Sequence, residues 1–572
     1  MNSRRHRRRI IHALTTAVAA LLLSSFQSVI WHRIGPTPDS SSLSGFPGLF
    51  HAKADVNQDG VPDVVVGAPT MDSFRGVVSV LSGTTGEVVH EIDGPKKDSI
   101  HGYTAIFVGD LDGDGISEFT SNNTKGPIPV YSGADASVVL EIPNPSLWPW
   151  AEGWFPLGTT DLESDGVPDI VLGNFTTSPP GTALAGGVVV VSGVDGAALA
   201  HWPGEKPFDR FGWSLANAGD LDGDSVDDFL VGAPGFLDLG QPLELNAKSH
   251  ASLVSGRTGE ELQRFLPAQS GLGSSFNTRF GFAVDTGDTD GDGVSDLLIG
   301  ESCGFPSGTD IGLALYSGKT GELLHATDDR SGDAVAFVGD VDGDGFGDYA
   351  GTRGFHCQPI PCTTIVVYSG SDHVVIYELA LQDGLRPGKR LVGPGDMNDD
   401  GFPDLLASDE AYQVGPSLHS QGRLTLFSLI PRGVRSFGRG CPGPDGIVPR
   451  IGARGSPILG TELQVHLSKA VPGVPAVLLL GFSETEWNGV PLPFGLDFAG
   501  RPDCFLLTSV AHAVARFTQP DVPAPGRATV ALQVPDDLAL VGTELFAQWL
   551  VGDVARRPVS MTRALAFELL AE

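Results

Sequence analysis

The chain has 572 residues, with 36 basic against 69 acidic side chains and a formal net charge of −33 at pH 7. That length exceeds one ordinary globular domain, and so large an acid excess argues against a nucleic-acid partner, which needs a basic patch. Glycine, at 76 residues, is about twice its usual share, as many tight turns require.

At the N-terminus Arg4, Arg5, Arg7, Arg8 and Arg9 form a basic run. Ile10 to Leu23 are largely apolar, and Ser24 and Ser25 follow as small residues. This is the pattern of a secretion signal, assigned to residues 1–28. The apolar run is short of the roughly twenty residues that span a bilayer, which leaves an uncleaved anchor as the alternative. Val29 to Ile34 has the shape of a strand and matches the pattern of Val88-Val-His-Glu-Ile-Asp-Gly-Pro95. It is expected to complete the last unit of the repeat that follows, the alternative being a post-signal linker.

From residue 55 one acidic loop recurs seven times. Positions one, three, five and nine are Asp55, Asn57, Asp59 and Asp63 in loop one, and Asp110, Asp112, Asp114 and Glu118 in loop two. They are Asp161, Glu163, Asp165 and Asp169 in loop three, and Asp220, Asp222, Asp224 and Asp228 in loop four. Loop five has Asp288, Asp290, Asp292 and Asp296, and loop six Asp340, Asp342, Asp344 and Asp348. Loop seven has Asp396, Asn398, Asp400 and Asp404. Ca²⁺ takes six to eight hard oxygens, and alternate residues of a tight turn, with the carbonyl of position seven, deliver them to one point. Glycine at position six permits the positive φ that closes the turn. Position twelve of loop five is Ile299, inside an apolar run, so the loop leads into a strand and the helix-flanked calcium loop is excluded. Loops two, five and six carry the fullest ligand sets; Glu163 weakens loop three and Ser225 at position six strains loop four. Up to seven structural Ca²⁺ ions are expected.

A second marker follows each loop, a strand ending in Ser-Gly: Ser82-Gly83, Ser132-Gly133, Ser192-Gly193, Ser255-Gly256, Ser317-Gly318 and Ser369-Gly370. The seventh unit has Ser428 and loses the glycine. Two markers in phase define a structural repeat. Within each unit the reading is strand, loop, strand, variable loop, strand, turn, strand. Apolar runs such as Asp169-Ile-Val-Leu-Gly173 suit strands buried on both faces.

Phe211-Gly212 and Phe280-Gly281 precede their loops, and Val66-Gly-Ala-Pro69 and Val231-Gly-Ala-Pro234 follow theirs. These residues resemble the FG-GAP repeat of integrin α-subunit propellers and their bacterial relatives. The resemblance covers roughly residues 29 to 430, with His101-Gly102 replacing Phe-Gly in the second unit. It implies an all-β fold: a seven-bladed β-propeller over residues 29–435, with a calcium loop between the first two strands of each blade.

Residues 436–572 lack the acidic loop and show short strands punctuated by Pro and Gly, which predicts a small β-sandwich. Gly440-Cys-Pro-Gly443 is similar to the C-terminal domain of some bacterial secreted repeat proteins. Sorting, anchoring and glycan binding remain open for it, and it is expected to melt independently of calcium. Cys441 and Cys504 can pair within it, while Cys303, Cys357 and Cys362 fall in variable loops without the spacing of a zinc site.

Catalytic patterns are sparse. Gly300-Glu-Ser302-Cys-Gly304 matches a nucleophile motif whose strand-to-helix context is missing. Trp148, Trp150 and Trp154 suit either sugar stacking or packing. Two function classes follow. One is a secreted or cell-surface binding and adhesion module, not an enzyme, that presents variable loops to an extracellular protein or glycan. The other is an extracellular hydrolase or lyase acting on polysaccharide or another polymer. An aromatic variable-loop face favours the first, clustered titratable groups the second.

Overall fold

A computed structural model of the chain describes residues 29–34, 51–124, 126–143, 155–178, 182–235, 249–267, 279–302, 312–327, 332–353, 364–380, 390–409, 422–443, 446–496, 501–520, 525–552 and 559–571. Residues 1–28, Trp148, Trp150, Trp154, Cys303, Gly304, Cys357 and Cys362 lie outside them.

Each acidic loop joins two antiparallel strands in one register. The residue before position one pairs with the residue at position nine: Ala54 with Asp63, Gly109 with Glu118, Thr160 with Asp169 and Gly219 with Asp228. Gly287 with Asp296, Gly339 with Asp348 and Gly395 with Asp404 continue the series. Fixed loop length therefore sets which side chains of each strand face which neighbour. A third strand adds to the second and a fourth to the third, so the described residues hold seven four-stranded antiparallel sheets. Second and third strands such as Asp63–Ala68 and Gly187–Val191 are buried throughout, whereas the fourth, such as Val88–Asp93, is exposed or half-buried. Continuous apolar runs and alternating runs separate accordingly.

Apolar clusters between neighbouring sheets arrange them in a ring. Val65, Val78 and Val80 of sheet one pack on Ala105, Phe107 and Phe119 of sheet two. Equivalent clusters join each later pair up to sheets six and seven. A further one returns from Leu406, Leu424 and Leu426 of sheet seven to Val64, Val66 and Leu81 of sheet one. A central channel of about 590 Å³ is lined by residues from all seven sheets, Lys53, Asn217, Asp285 and Arg390 among them. The fold is an all-β propeller.

Sheet seven takes its outer strand from the other end of the chain. Val29–Ile34 pairs antiparallel with Arg423–Ser428, from Val29 opposite Phe427 to Ile34 opposite Arg423. Trp31 of that strand then reaches sheet one, donating from Nε1 to the carbonyl of Gly83 at 2.7 Å.

After residue 430 the chain builds a sandwich of a five-stranded and a three-stranded sheet. The larger contains Val434–Phe437, Ser560–Glu568, Glu544–Val551, Pro475–Gly481 and His512–Phe517 in that spatial order. The smaller contains Arg450–Arg454, Glu462–Ser468 and Ala528–Gln533. Trp549, Phe567, Leu478, Val465 and Val530 fill the space between them. Cys441 and Cys504 form a disulfide.

Candidate cation loops and the opposite face

Each acidic loop is folded by its own carboxylates. In loop five, Asp288 accepts from the backbone N–H of Gly291 at 2.7 Å and of Gly293 at 3.0 Å. Asp290 accepts from Asp292 N–H at 3.1 Å, and Asp292 from Val294 N–H at 2.9 Å. Side-chain oxygens thus hold the turn while their remaining lone pairs stay available. Position-six glycines take φ near +84° to +90° in loops one, two, three and five, and a Cβ there would meet nothing within 4 Å. Glycine is needed for conformation at those positions, not for space. Loop four uses Ser225 at φ +71°, the strained turn its sequence implies.

Position nine has a second task. All seven side chains, from Asp63 through Glu118 to Asp404, are buried. One oxygen accepts from the loop backbone, as Asp228 does from Leu221 N–H at 2.8 Å and Asp348 from Val341 N–H at 2.7 Å. The other accepts from the glycine of the Ser-Gly marker: Gly83 to Asp63 at 3.0 Å, Gly193 to Asp169 at 3.1 Å, Gly256 to Asp228 at 3.1 Å, Gly318 to Asp296 at 3.2 Å and Gly370 to Asp348 at 2.9 Å. Those glycines also press on the carbonyl of position eight. A Cβ on Gly83, Gly256 or Gly318 would stand 1.9, 1.9 or 1.8 Å from that oxygen. The marker therefore pins the third strand to the loop. In sheet seven Leu429 takes the glycine's place, and Asp404 Oδ1 is buried without a hydrogen-bond donor.

The donor set suits a hard cation. Asp110, Asp112 and Glu118 bring ligand oxygens within 4.8 Å of one another, as do Asp220, Asp222 and Asp228. Asp288, Asp290 and Asp296 do the same, as do Asp340, Asp342 and Asp344. Loop four assembles its cluster despite Ser225, while Glu163 of loop three stays exposed. Asn57 and Asn398 turn their carbonyl oxygens to the N–H of Asp59 and Asp400, each at 2.9 Å. Glu118 Oε1, Asp340 Oδ1 and Asp342 Oδ2 are buried without hydrogen-bond donors. Burial raises the Asp348 carboxyl well above the usual range, helped by the charges of Asp342, Asp340 and Asp344. Burial likewise pushes Asp404 up to about 8 and Asp340 up to about 6. Such a group of carboxylates demands protons or a divalent cation.

Loops six and seven differ in what covers them. Arg527 from the sandwich donates to the Gly345 carbonyl and lies 3.3 Å from the centroid of Phe346. Arg454 pairs with Asp372 at 3.0 Å and approaches Asp342 at 3.9 Å. In loop seven Arg450 donates to the Gly401 carbonyl at 2.9 Å and Arg563 to the Asp399 carbonyl at 2.9 Å. Phe402 is buried in the sandwich's own core. Sequence reading missed these residues, though a signal existed: position seven is Val or Ile in loops one to five and Phe in loops six and seven.

The end of the propeller away from the loops carries aromatic rings, at the starts of first strands and the ends of second strands. Tyr103, Phe155, Phe175, Trp213 and Phe282 form a row with successive centroids 5.3, 5.6, 4.5 and 5.4 Å apart. Arg210 sits over Phe175, and every ring in the row is half-buried or exposed. Ser302, of the nucleophile-like motif, is fully buried behind the strand Asp296–Glu301.

Comparison with known proteins places the repeats. The FG-GAP repeat model matches residues 52–81 and 211–242. Integrin alpha-PS2 of Drosophila melanogaster is 30% identical over 174 residues, 30% of this chain and 12% of that protein. Integrin alpha-5 of Xenopus laevis is 28% identical over 252 residues, 40% of this chain and 22% of that protein. Integrin alpha-IIb of Homo sapiens is 26% identical over 53% of this chain and 31% of its own length. The chain thus spans less than a third of the length of each of these relatives. The solved structure of BBS1N in complex with ARL6DN, soaked with mercury, overlays with a TM-score of 0.43 at 12% identity, over 71% of this chain and 97% of that one. No helix among the described residues is long and apolar enough to cross a membrane. The chain carries FG-GAP repeats and is similar, over part of its length, to integrin α subunits.

Proposed function

We propose that this chain is a secreted or cell-surface binding module. In this reading residues 29–435 form a seven-bladed propeller stiffened by up to seven Ca²⁺ ions, and residues 436–572 form an accessory sandwich. Val434–Phe437 already pairs within the sandwich sheet, so the second domain takes its first strand from the end of the first range. Positions one, three, five and nine of each loop hold the ion with the position-seven carbonyl, and Ca²⁺ supplies charge neutralisation and rigidity. The ligand is an extracellular protein or glycan, and it docks on the face away from the loops.

The aromatic row from Tyr103 to Phe282 carries this reading. Half-exposed rings with a flanking guanidinium offer stacking area at low entropic cost. The alternative, a hydrolase or lyase, needs free acid or base groups in the channel. Asp285 is the carboxylate among the described channel-lining residues, raised by burial, yet its two oxygens accept from Thr286 N–H at 3.0 Å and Phe337 N–H at 2.8 Å. Those bonds give it a structural role. Screening the calcium-loaded chain on glycan and protein arrays tests the proposal. Trp213→Ala should abolish the leading signal, and a signal that survives it moves the ligand elsewhere.

A further inference from the structure

The sandwich closes over loops six and seven in one repeated manner. In each, an arginine bonds the carbonyl of the position-six glycine: Arg527 on Gly345 and Arg450 on Gly401. In each, the position-seven phenylalanine meets the sandwich, Phe346 under the Arg527 guanidinium and Phe402 in the apolar core. Ser468 adds a bond to Asp340 at 3.3 Å. The backbones touch as well, since a Cβ on Gly452 would stand 2.2 Å from the Gly343 Cα.

This contact changes the electrostatics of loop six. Asp112 and Asp222 are exposed, but the equivalent Asp342 is wholly buried. Asp340, Asp342, Asp344 and Asp348 then share three nearby guanidiniums, Arg450, Arg454 and Arg527, of which Arg454 is also committed to Asp372 and Arg450 to the Gly401 carbonyl. More negative than positive charge is left out of water, which is costly unless it is compensated. Asp340 Oδ1 and Asp342 Oδ2 still have no hydrogen-bond donor.

We infer that the divalent cation of loop six is an interdomain ion: its binding and the docking of residues 446–571 onto the propeller drive each other. The inference rests on the calcium reading of the loops. Docking removes water from the carboxylates and so requires the ion, while the bonds to the position-six carbonyl and the cover on Phe346 fix the position-seven carbonyl that completes its shell. Coupling of this kind is reciprocal.

The experiment uses the full chain loaded with calcium and titrated with EGTA, read by native mass spectrometry and hydrogen exchange. In the wild type one ion leaves last, and protection of residues 450–454 and 527–529 is lost with it. Gly452→Val wedges the contact without altering any charge. It should weaken one ion about tenfold, in the usual range of such coupling, and speed exchange in 340–348 while leaving loops one to four unchanged. Arg527→Gln makes the same test with the strand backbone intact. Exposure of the docking strands with all ions released at wild-type chelator concentrations overturns the inference. A wild-type chain that binds no calcium overturns the calcium reading itself, and this inference with it.

Discussion

Loops two and six share Asp at positions one, three and five, glycine at position six and one register, differing at position nine in Glu118 against Asp348, yet stand in opposite surroundings. A Cβ on Gly115 of loop two would meet nothing within 4 Å, whereas one on Gly345 of loop six would meet the Arg527 side chain at 2.5 Å. The ligand positions are alike; the neighbour is not. Closely similar motifs therefore need not make equivalent sites, because solvent reaches the turn in one and a second domain covers it in the other.

The largest expected effect is chelation. An ion held only by the folded state at a hundred times its dissociation constant contributes about 2.7 kcal/mol, so EGTA should lower the melting temperature of the propeller by several degrees. The sequence suggested that residues 436–572 would be indifferent, and the contacts at loops six and seven now predict that the sandwich loosens too. Calorimetry with and without calcium checks both, and coincident scans would remove the ions from the stability of the fold.

A smaller effect should ignore the contrast. The Ser-Gly pin is common to open and covered loops, so Gly318→Ala in sheet five and Gly370→Ala in sheet six should each cost about 1–3 kcal/mol, the usual toll of overpacking. Urea melts measure it. Unequal costs would mean that the sandwich bears load for loop six.

Asp209 supplies a control on the opposite face. It is buried 3.8 Å from His250, and burial pushes its carboxyl up to about 7 against the pull of Lys206 and Arg264. A carboxyl raised in the folded state favours folding below its unfolded value near 4 and loses that contribution as pH rises through about 7. Stability should then fall between those limits by at most about 1.4 kcal/mol per pH unit. Asp209→Asn should flatten that slope with or without calcium, and a slope kept by the variant would assign the titration elsewhere.

The smallest effect concerns ligand quality. Asp290→Ala in loop five should cost one ion in native mass spectrometry, whereas Glu163→Ala in loop three should change neither ion count nor stability. Equal losses would make loop three a full site.

The repeat was legible because each unit must solve one problem, turning a strand around a group of carboxylates, and only certain residues do so at fixed spacing. The closing strand was legible for a related reason: Val29 to Ile34 repeats the pattern of the fourth strand of sheet one, and sheet seven ran out of chain. The role of Ser-Gly was not, because a recurring dipeptide does not reveal that its N–H meets a carboxylate roughly twenty residues earlier. Arg450, Arg454, Arg527 and Arg563 were hidden for another reason. They belong to strands of ordinary composition, and their significance exists only once a second domain lies on the first. Phe346 and Phe402 were visible departures, but an aromatic at a turn reads equally well as local packing.

The seam at Trp31 governs when the propeller can be finished. Synthesis delivers Val29–Ile34 first and its partner Arg423–Ser428 roughly 390 residues later. Contacts so distant along the chain are slow to form, because closure entropy is spent before any bond is made. Six sheets can assemble as they are made, yet the first strand must wait until the last hairpin exists. Any chain that stops short of Ser428 keeps an exposed strand edge and an unsheltered indole, the features that invite aggregation and proteolysis. Ring closure thus acts as a completeness check built into the order of translation. A circular permutant that carries 29–34 directly after 428 would abolish the wait and refold faster at little change in stability.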